Sequence, residues 1–334
     1  MANNRTLLSL LGVALLGSSL GVVPALAAGK PGTGTAPLPA LLYINKSGAI
    51  EVSNADGSAA AVVVASGGIH RPNWSPESQN NINNKDNPAK IVFERGICQL
   101  HEVDVWVENN VVKSSPAASE RVLPTAGAGI QDHACAADLN GTMLVSGEAY
   151  TDTPTSDLFT MTRIPDGTPS GTWTTPVAIY GVPYTNITNE NTITWSSLSP
   201  LGDYIAFAEY QGAPANRARI KIIASNGLGP VSTVLNNSSY VPALMEWSPQ
   251  GNTLAFASSG GLYTLELVPP VNGEWAESAP VLLVSGGNSP TWSGTGTIYF
   301  DNSNGISTIS KTTSGAWGAA KLLIRGARRP RYRN

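Results

Sequence analysis

The sequence predicts an all-β protein built from a repeated unit of about four short antiparallel strands. Three observations carry this. The 334 residues are rich in turn formers, with 34 glycines and 24 prolines, and only 13% are charged, a composition that leans away from helices. Short segments alternate apolar and small residues with a period of two, as in "TLAFAS", which puts Leu254 and Phe256 on one face and Ala255 and Ala257 on the other. The pattern "WSPQGNTLAFASSGGLYTLEL", beginning at Trp247, then recurs along the chain.

Taken in chain order, the first 27 residues read as an export signal. Arg5 precedes an apolar run from Leu7, and Ala25-Leu26-Ala27 forms a small-x-small cleavage site. Gly21 and Pro24 break the run before it reaches the length of a membrane span. Residues 28–38, rich in Gly, Pro and Thr, read as a flexible linker. Nothing later offers a transmembrane segment, so the mature chain is expected in the periplasm or secreted. In such an oxidising compartment the two cysteines, Cys98 and Cys135, are a candidate disulfide, against the alternative of two core thiols.

The repeat follows. Copies start at Trp74 ("WSPESQN", then "AKIVFE" after an Asn-rich insertion), Ala137 ("ADLNGTMLVSGEAY"), Leu198 ("LSPLGDYIAFAEY"), Trp247 and Trp292 ("WSGTGTIYFDNSNGISTIS"). Trp247 and Trp292 lie 45 residues apart, and Leu198 and Trp247 lie 49 apart. Such periods fit four-stranded sheets packed radially, where neighbours hide the faces that one sheet alone leaves open. In each unit the Trp or Leu ends the innermost strand and packs between sheets. Ser-Pro opens a tight turn, for which Gly251 supplies the backbone freedom. A sixth unit is partly visible in Leu41–Asn45, Ala49–Ser53 and Ala59–Ala65. Its innermost strand is missing and must come from the C-terminal tail or the linker. Residues 327–334, which take in most of "RGARRPRYR" (Arg325 to Arg333), are expected as a basic, solvated tail.

"WSPQGNTLAF", "LSPLGDYIAF" and "WSGTGTIYF" resemble the WD40-like (PD40) repeat of the TolB family, Trp-Ser-Pro-Asp-Gly followed by a spacer and Ile-Ala-Phe. The resemblance implies a TolB-like six-bladed β-propeller over residues 39–326, with about four antiparallel strands per blade. Glu77, Asn140, Leu201, Gln250 and Thr295 stand at or near the usual aspartate of the turn, which marks a diverged member. Only about a dozen residues separate the cleavage site from the first strand. The α/β domain that precedes the propeller in TolB is therefore not expected here.

For chemistry, the chain lacks Gly-x-Ser-x-Gly, His-Glu-x-x-His, a phosphate-binding glycine loop and paired Cys-x-x-Cys. No cofactor and no metal centre are expected. The terminal basic cluster has no accompanying aromatic platform, which argues against nucleic acid as a partner. Of three histidines, His70 and His133 both stand four residues before an aligned repeat position, Trp74 and Ala137. Asn288 holds that place before Trp292, and Thr194 and Ala243 hold it in the remaining two units. His70, His133 and Asn288, with Arg71, Asp132 and Trp195, are the ligand-binding candidates. Arg71 and Asp132 either pair with each other or face a ligand. The carboxylates of "LHEVDVWVE", Glu102 and Asp104, read as a solvated outer or edge strand, and "DNSNG" as a hairpin turn. The Asn-rich insertion and "YTDTPTSDLF" read as polar loops suited to binding, and Tyr180, Tyr184 and Trp195 as ring platforms or core aromatics.

The resulting expectation is a monomeric, exported, non-catalytic propeller that binds a protein or peptide at its channel mouth. A carbohydrate binder, a metal-assisted polysaccharide or sugar-acid lyase and a structural surface component are the alternatives. Export is directly testable. Expression from the native start should yield a chain beginning at Ala28 by N-terminal mass spectrometry, and Ala27→Arg should block processing.

Overall fold

The structure is a computed structural model. It describes residues 39–75, 82–83, 85–86, 88–96, 99–116, 119–124, 130–137, 142–149, 155–164, 172–175, 177–183, 191–211, 217–268 and 270–333. Within strands at 130–149 and a few neighbouring positions, the backbone alone is described. Residues 1–38, read above as an export signal and a linker, lie outside this set.

The described residues form six antiparallel sheets and contain no α-helix, hence none long and apolar enough to cross a membrane. The first sheet holds β1 (Leu41–Ile44), β2 (Ile50–Ser53) and β3 (Ala61–Val64). The second holds β4 (Ile69–Trp74), β5 (Ala89–Arg95), β6 (Gln99–Glu108) and β7 (Val111–Ser114), with β8 (Arg121–Val122) also paired to β6. The third holds β9 (Ile130–Ala137), β10 (Thr142–Ala149), β11 (Thr155–Ile164), β12 (Thr172–Trp173) and β13 (Val177–Pro183).

Three regular four-stranded sheets follow. They are β14 (Asn191–Leu198), β15 (Tyr204–Gln211), β16 (Arg217–Ala224) and β17 (Ser232–Asn236); β18 (Ala243–Trp247), β19 (Thr253–Ser258), β20 (Gly261–Glu266) and β21 (Val281–Ser285); and β22 (Asn288–Trp292), β23 (Ile298–Asn302), β24 (Gly305–Ile309) and β25 (Lys321–Arg325). The last strand, β26 (Arg328–Tyr332), pairs antiparallel with β1, Leu41 opposite Tyr332 and Leu42 opposite Arg331. The segment expected as a solvated basic tail is thus the missing innermost strand of the first sheet. Its arginines alternate with Pro330 and Tyr332, which hides how much of this polar stretch can sit in a ladder.

The core is divided among the joints between sheets. Leu42, Ile50, Trp74, Ile91 and Phe93 fill the first joint, and Val92, Leu100, Phe159, Met161 and Trp173 the second. Ala206, Ala208, Leu254 and Phe256 share the joint between the fourth and fifth sheets. Ala255, on the opposite face of the same strand as Phe256, packs with Trp292 and Phe300 at the next joint. The predicted alternation therefore has a packing meaning, since small residues on one sheet receive large ones from the next. Leu41 and Tyr43 meet Tyr299 and Ile306 at the last joint, which brings the first sheet against the sixth.

The repeat residues also act locally as expected. In the turns after β14, β18 and β22, Ser199, Ser248 and Ser293 accept backbone N–H bonds from Gly202, Gly251 and Gly296 through their carbonyls, at 2.8, 2.9 and 2.9 Å. Their hydroxyls accept from the N–H of Tyr204, Thr253 and Thr297. The three glycines take φ of 72°, 71° and 81°, the left-handed conformation that favours glycine. Trp247 donates its indole N–H to the Ser197 carbonyl at 3.0 Å, and Trp292 to that of Glu246 at 3.2 Å. The acceptors hold the same repeat position on successive sheets, so one motif stitches neighbour to neighbour.

Two loop expectations are corrected. Part of "YTDTPTSDLF" belongs to β11, where Leu158 and Phe159 are buried, because an apolar pair at the end of a polar run suffices to anchor a strand. From the Asn-rich insertion, Ile82 is buried in the first joint and its carbonyl accepts from the Val107 N–H at 2.6 Å.

Ending the chain after Gly326 removes β26 and uncovers the edge of β1. The thermal unfolding midpoint should fall by more than about 10 °C in calorimetry, whereas an unchanged midpoint would mean that the last strand does not hold the ring together.

Candidate functional site

The innermost strands β4, β9, β14, β18, β22 and β26 lie side by side in sequence order, and β26 lies beside β4 as well as β22. They share one irregularity. Each ladder to the partner strand slips by one residue: between His70 and Asn73, Asp132 and Ala134, Thr194 and Ser196, Ala243 and Met245, Asn288 and Thr291, and Arg328 and Arg331. At the slip stand Arg71, Trp195, Leu244, Ser289 and Arg329, with φ of 47°, 50°, 45°, 46° and 53°. A left-handed φ outside glycine costs about 1 kcal/mol or more, and a bulge re-aims the side chain it carries. Proline follows directly in three strands, Pro72, Pro290 and Pro330, where an absent ladder bond makes a residue without an N–H acceptable.

The consequence is a meeting of side chains from distant sheets. The Arg71 guanidinium lies 4.4 Å from the centre of the Trp195 ring although the whole third sheet separates them in sequence. This is cation–π geometry. Arg71 also stands 3.5 Å from Glu94 of β5. Arg329 lies near enough to Arg71 and Arg331 that the three repel. Burial first, and these like charges second, lower its pKa from the ordinary guanidinium range to about 10, while Asp301 acts in the opposite sense. The Arg329 backbone N–H donates to Asp301 Oδ2 at 2.7 Å. Arg331 lies 4.0 Å from Glu246, whose carboxyl is raised above its ordinary range by burial, against the pull of Arg331, the Trp292 N–H and Thr291.

Among the sequence candidates, the structure brings Arg71 and Trp195 together. His70 and Asn288 are exposed at the last paired position before the slip, opposite Glu94 and Asp301. In β9 the register places Asp132 at the His70 position and His133 at the Arg71 position, one residue from the alignment read off the sequence. The side chains of Asp132, His133 and Cys135 and all of Cys98 and Tyr184 lie outside the described residues, and with them the candidate disulfide. Tyr180 packs against Phe207 with ring centres 5.2 Å apart, a core contact. Asp301 and Asn302 end β23 and Gly305 opens β24, so "DNSNG" is the hairpin turn expected.

Leu244, Ser289, Arg329 and Arg331 were missed by sequence reasoning. A signal existed, since "HRPNW", "NSPTW" and "RRPRY" share x-x-Pro-x-aromatic, but only the first is followed by Ser-Pro.

A second charged cluster lies away from the centre. Glu102 and Asp104 are not on a solvated or edge strand, because β6 is flanked by β5, β7 and β8. Glu102 is 1% exposed and takes two bonds from Arg121, at 2.9 and 3.1 Å, while Asp104 receives two more, at 2.7 and 2.9 Å. Lys90, fully buried, stands 3.9 Å from Asp104. Removing Arg121 would strand buried carboxylates, so the cluster is structural. Beside it, His101 Nδ1 lies 2.5 Å from Glu120, which also holds Arg95 through two 2.9 Å bonds. Among the described residues no group of three or more His, Cys, Asp or Glu side chains is placed to hold a metal ion.

No protein-family model and no curated protein matches the chain. Solved structures do. TolB from Acinetobacter baumannii superposes with a TM-score of 0.53 at 14% identity, covering 88% of this chain and 66% of its own. A putative TolB from Agrobacterium tumefaciens gives 0.53 at 14%, covering 86% and 90%. An oligogalacturonate lyase from Vibrio parahaemolyticus gives 0.51 at 12%, covering 85% and 79%. This chain spans just under two thirds of the Acinetobacter protein's length. At these identities the likeness shows the fold alone: a β-propeller of TolB-like type.

Burial lowers the His101 pKa below its ordinary 6.5, against the pull of Glu120. The unfolded chain therefore takes up the proton first as pH falls, and this contribution to stability, intact above pH 6.5, is lost on acidification. His101→Gln should flatten the pH dependence of denaturant unfolding between pH 7 and 5, by up to about 1.4 kcal/mol per pH unit. A parallel curve would assign that dependence to other groups.

Proposed function

We propose that the chain is an exported, non-catalytic six-bladed β-propeller of WD40-like repeats, periplasmic or secreted, that binds a protein or peptide at the centre of its ring. The observation that carries this reading is the shared left-handed bulge. It sets unlike side chains at equivalent positions of successive innermost strands and brings two of them together, the Arg71 guanidinium over the Trp195 ring. Five such positions carry two cations, an indole, an aliphatic group and a hydroxyl. A mixture of donors and apolar surface on a rigid frame suits an extended chain that offers carbonyls, carboxylates and side-chain stems together. The frame limits reorganisation on binding, which preserves affinity.

A sugar-acid ligand is the second reading. Arginines beside an indole suit it chemically, and an oligogalacturonate lyase shares the fold.

Thermal unfolding with panels of peptides, neutral and acidic oligosaccharides and divalent ions separates these readings. A peptide at 100 times its Kd should raise the midpoint by about 5 °C, and Trp195→Ala or Arg71→Ala should abolish the rise. Stabilisation by oligosaccharides alone would favour the second reading, and turnover of an oligogalacturonate would make the chain an enzyme.

A further inference from the structure

Buried polar atoms of folded proteins almost always have a hydrogen-bond partner, so those without one point to what the site accepts. Three of the described atoms in this state belong to a single junction. They are Arg329 Nη1, Ser289 Oγ and Asp301 Oδ1. Ser289, with no exposure, and Arg329 occupy the same bulge position on the adjacent strands β22 and β26. Asp301 faces Asn288 across the ladder and accepts the Arg329 backbone N–H through its other oxygen. The bonds from the Tyr332 N–H to Thr291 Oγ1 at 3.0 Å and from Arg331 Nη1 to the Pro290 carbonyl at 3.3 Å fix the two strands to each other. Two donors and one acceptor thus stand on strands that are fixed to one another.

We infer that this junction binds the carboxylate of an acidic peptide residue, with Arg329 Nη1 and Ser289 Oγ donating to the carboxylate and Asp301 Oδ1 accepting a neighbouring amide N–H. The inference rests on the peptide-binding reading and assigns its ligand chemistry. A carboxylate is the group that an arginine and a hydroxyl satisfy together, through charge-assisted bonds. It also offsets the burial of Arg329 and, after that, its crowding by Arg71, Arg331 and Arg328, which together lower the pKa of that guanidinium. An acceptor beside two donors distinguishes a peptide, which supplies an N–H next to its carboxylate, from a simple anion.

Titration calorimetry on the whole chain tests this with an acetylated, amidated hexapeptide carrying two glutamates, its glutamine counterpart, and an oligogalacturonate. The glutamate peptide should bind at least about tenfold more tightly than the glutamine peptide. Arg329→Gln should remove that difference, and Ser289→Ala should reduce it severalfold. Because Arg329→Gln relieves repulsion, the ligand-free variant should unfold no earlier than the wild type. Equal binding of both peptides, unaffected by Arg329→Gln, would overturn the carboxylate site while leaving peptide binding intact. Arg329-dependent binding of oligogalacturonate alone would keep the site and overturn its peptide source. Absence of all binding, with an earlier midpoint for Arg329→Gln, would make Arg329 a structural residue and overturn both.

Discussion

The pairing of β26 with β1 is the contact on which the rest of the structure depends. Every sheet carries apolar groups on both faces, so each needs a neighbour on both sides. A linear stack would leave two faces open. Joining Leu41–Ile44 to Arg328–Tyr332 sets the last strand of the chain beside its first and brings Tyr43 against Tyr299 and Ile306. Further backbone bonds lock the ends, from the Arg333 N–H to the Ala40 carbonyl at 2.7 Å and from Ala40 N–H to Ser53 at 2.9 Å.

Closure has a consequence at the centre. Each of the six innermost strands carries a bulge at the same repeat position. The strain at Arg71, Trp195, Leu244, Ser289 and Arg329 is therefore a property of the architecture. What varies is the side chain, and architecture does not dictate it. Leucine or serine would meet the backbone requirement as well as arginine does. Arg71 and Arg331 have Glu94 and Glu246 beside them, whereas at Arg329 burial and the neighbouring arginines both oppose the charge and Asp301 alone favours it. This contrasts with Arg121, whose charge is fully matched by Glu102 and Asp104.

Individual residues show how much was legible. The turn serines and glycines, the indoles between sheets and the alternation of Phe256 with Ala255 were readable because each depends on neighbours within a few residues. The outer carboxylates were misread as solvated. Alternation places Glu102 and Asp104 on one face, but their cover comes from Arg121, and Glu102 also lies 3.4 Å from Trp173 Nε1, an indole far along the chain. For the terminal arginines two readings stood open, a solvated tail and the missing innermost strand, because composition favours solvent and only the pairing with β1 makes them a strand.

The sequence by itself determined the all-β class, the repeat, its turns and the faces of its strands, since these follow from backbone geometry and a period of two. It also singled out Arg71 and Trp195. Their meeting, the place of Arg329 beside Ser289 and Asp301, and the one-residue shift of His133 were decided by tertiary structure. A ring brings into contact residues that are remote in sequence, and a bulge breaks the very periodicity from which side-chain direction is read.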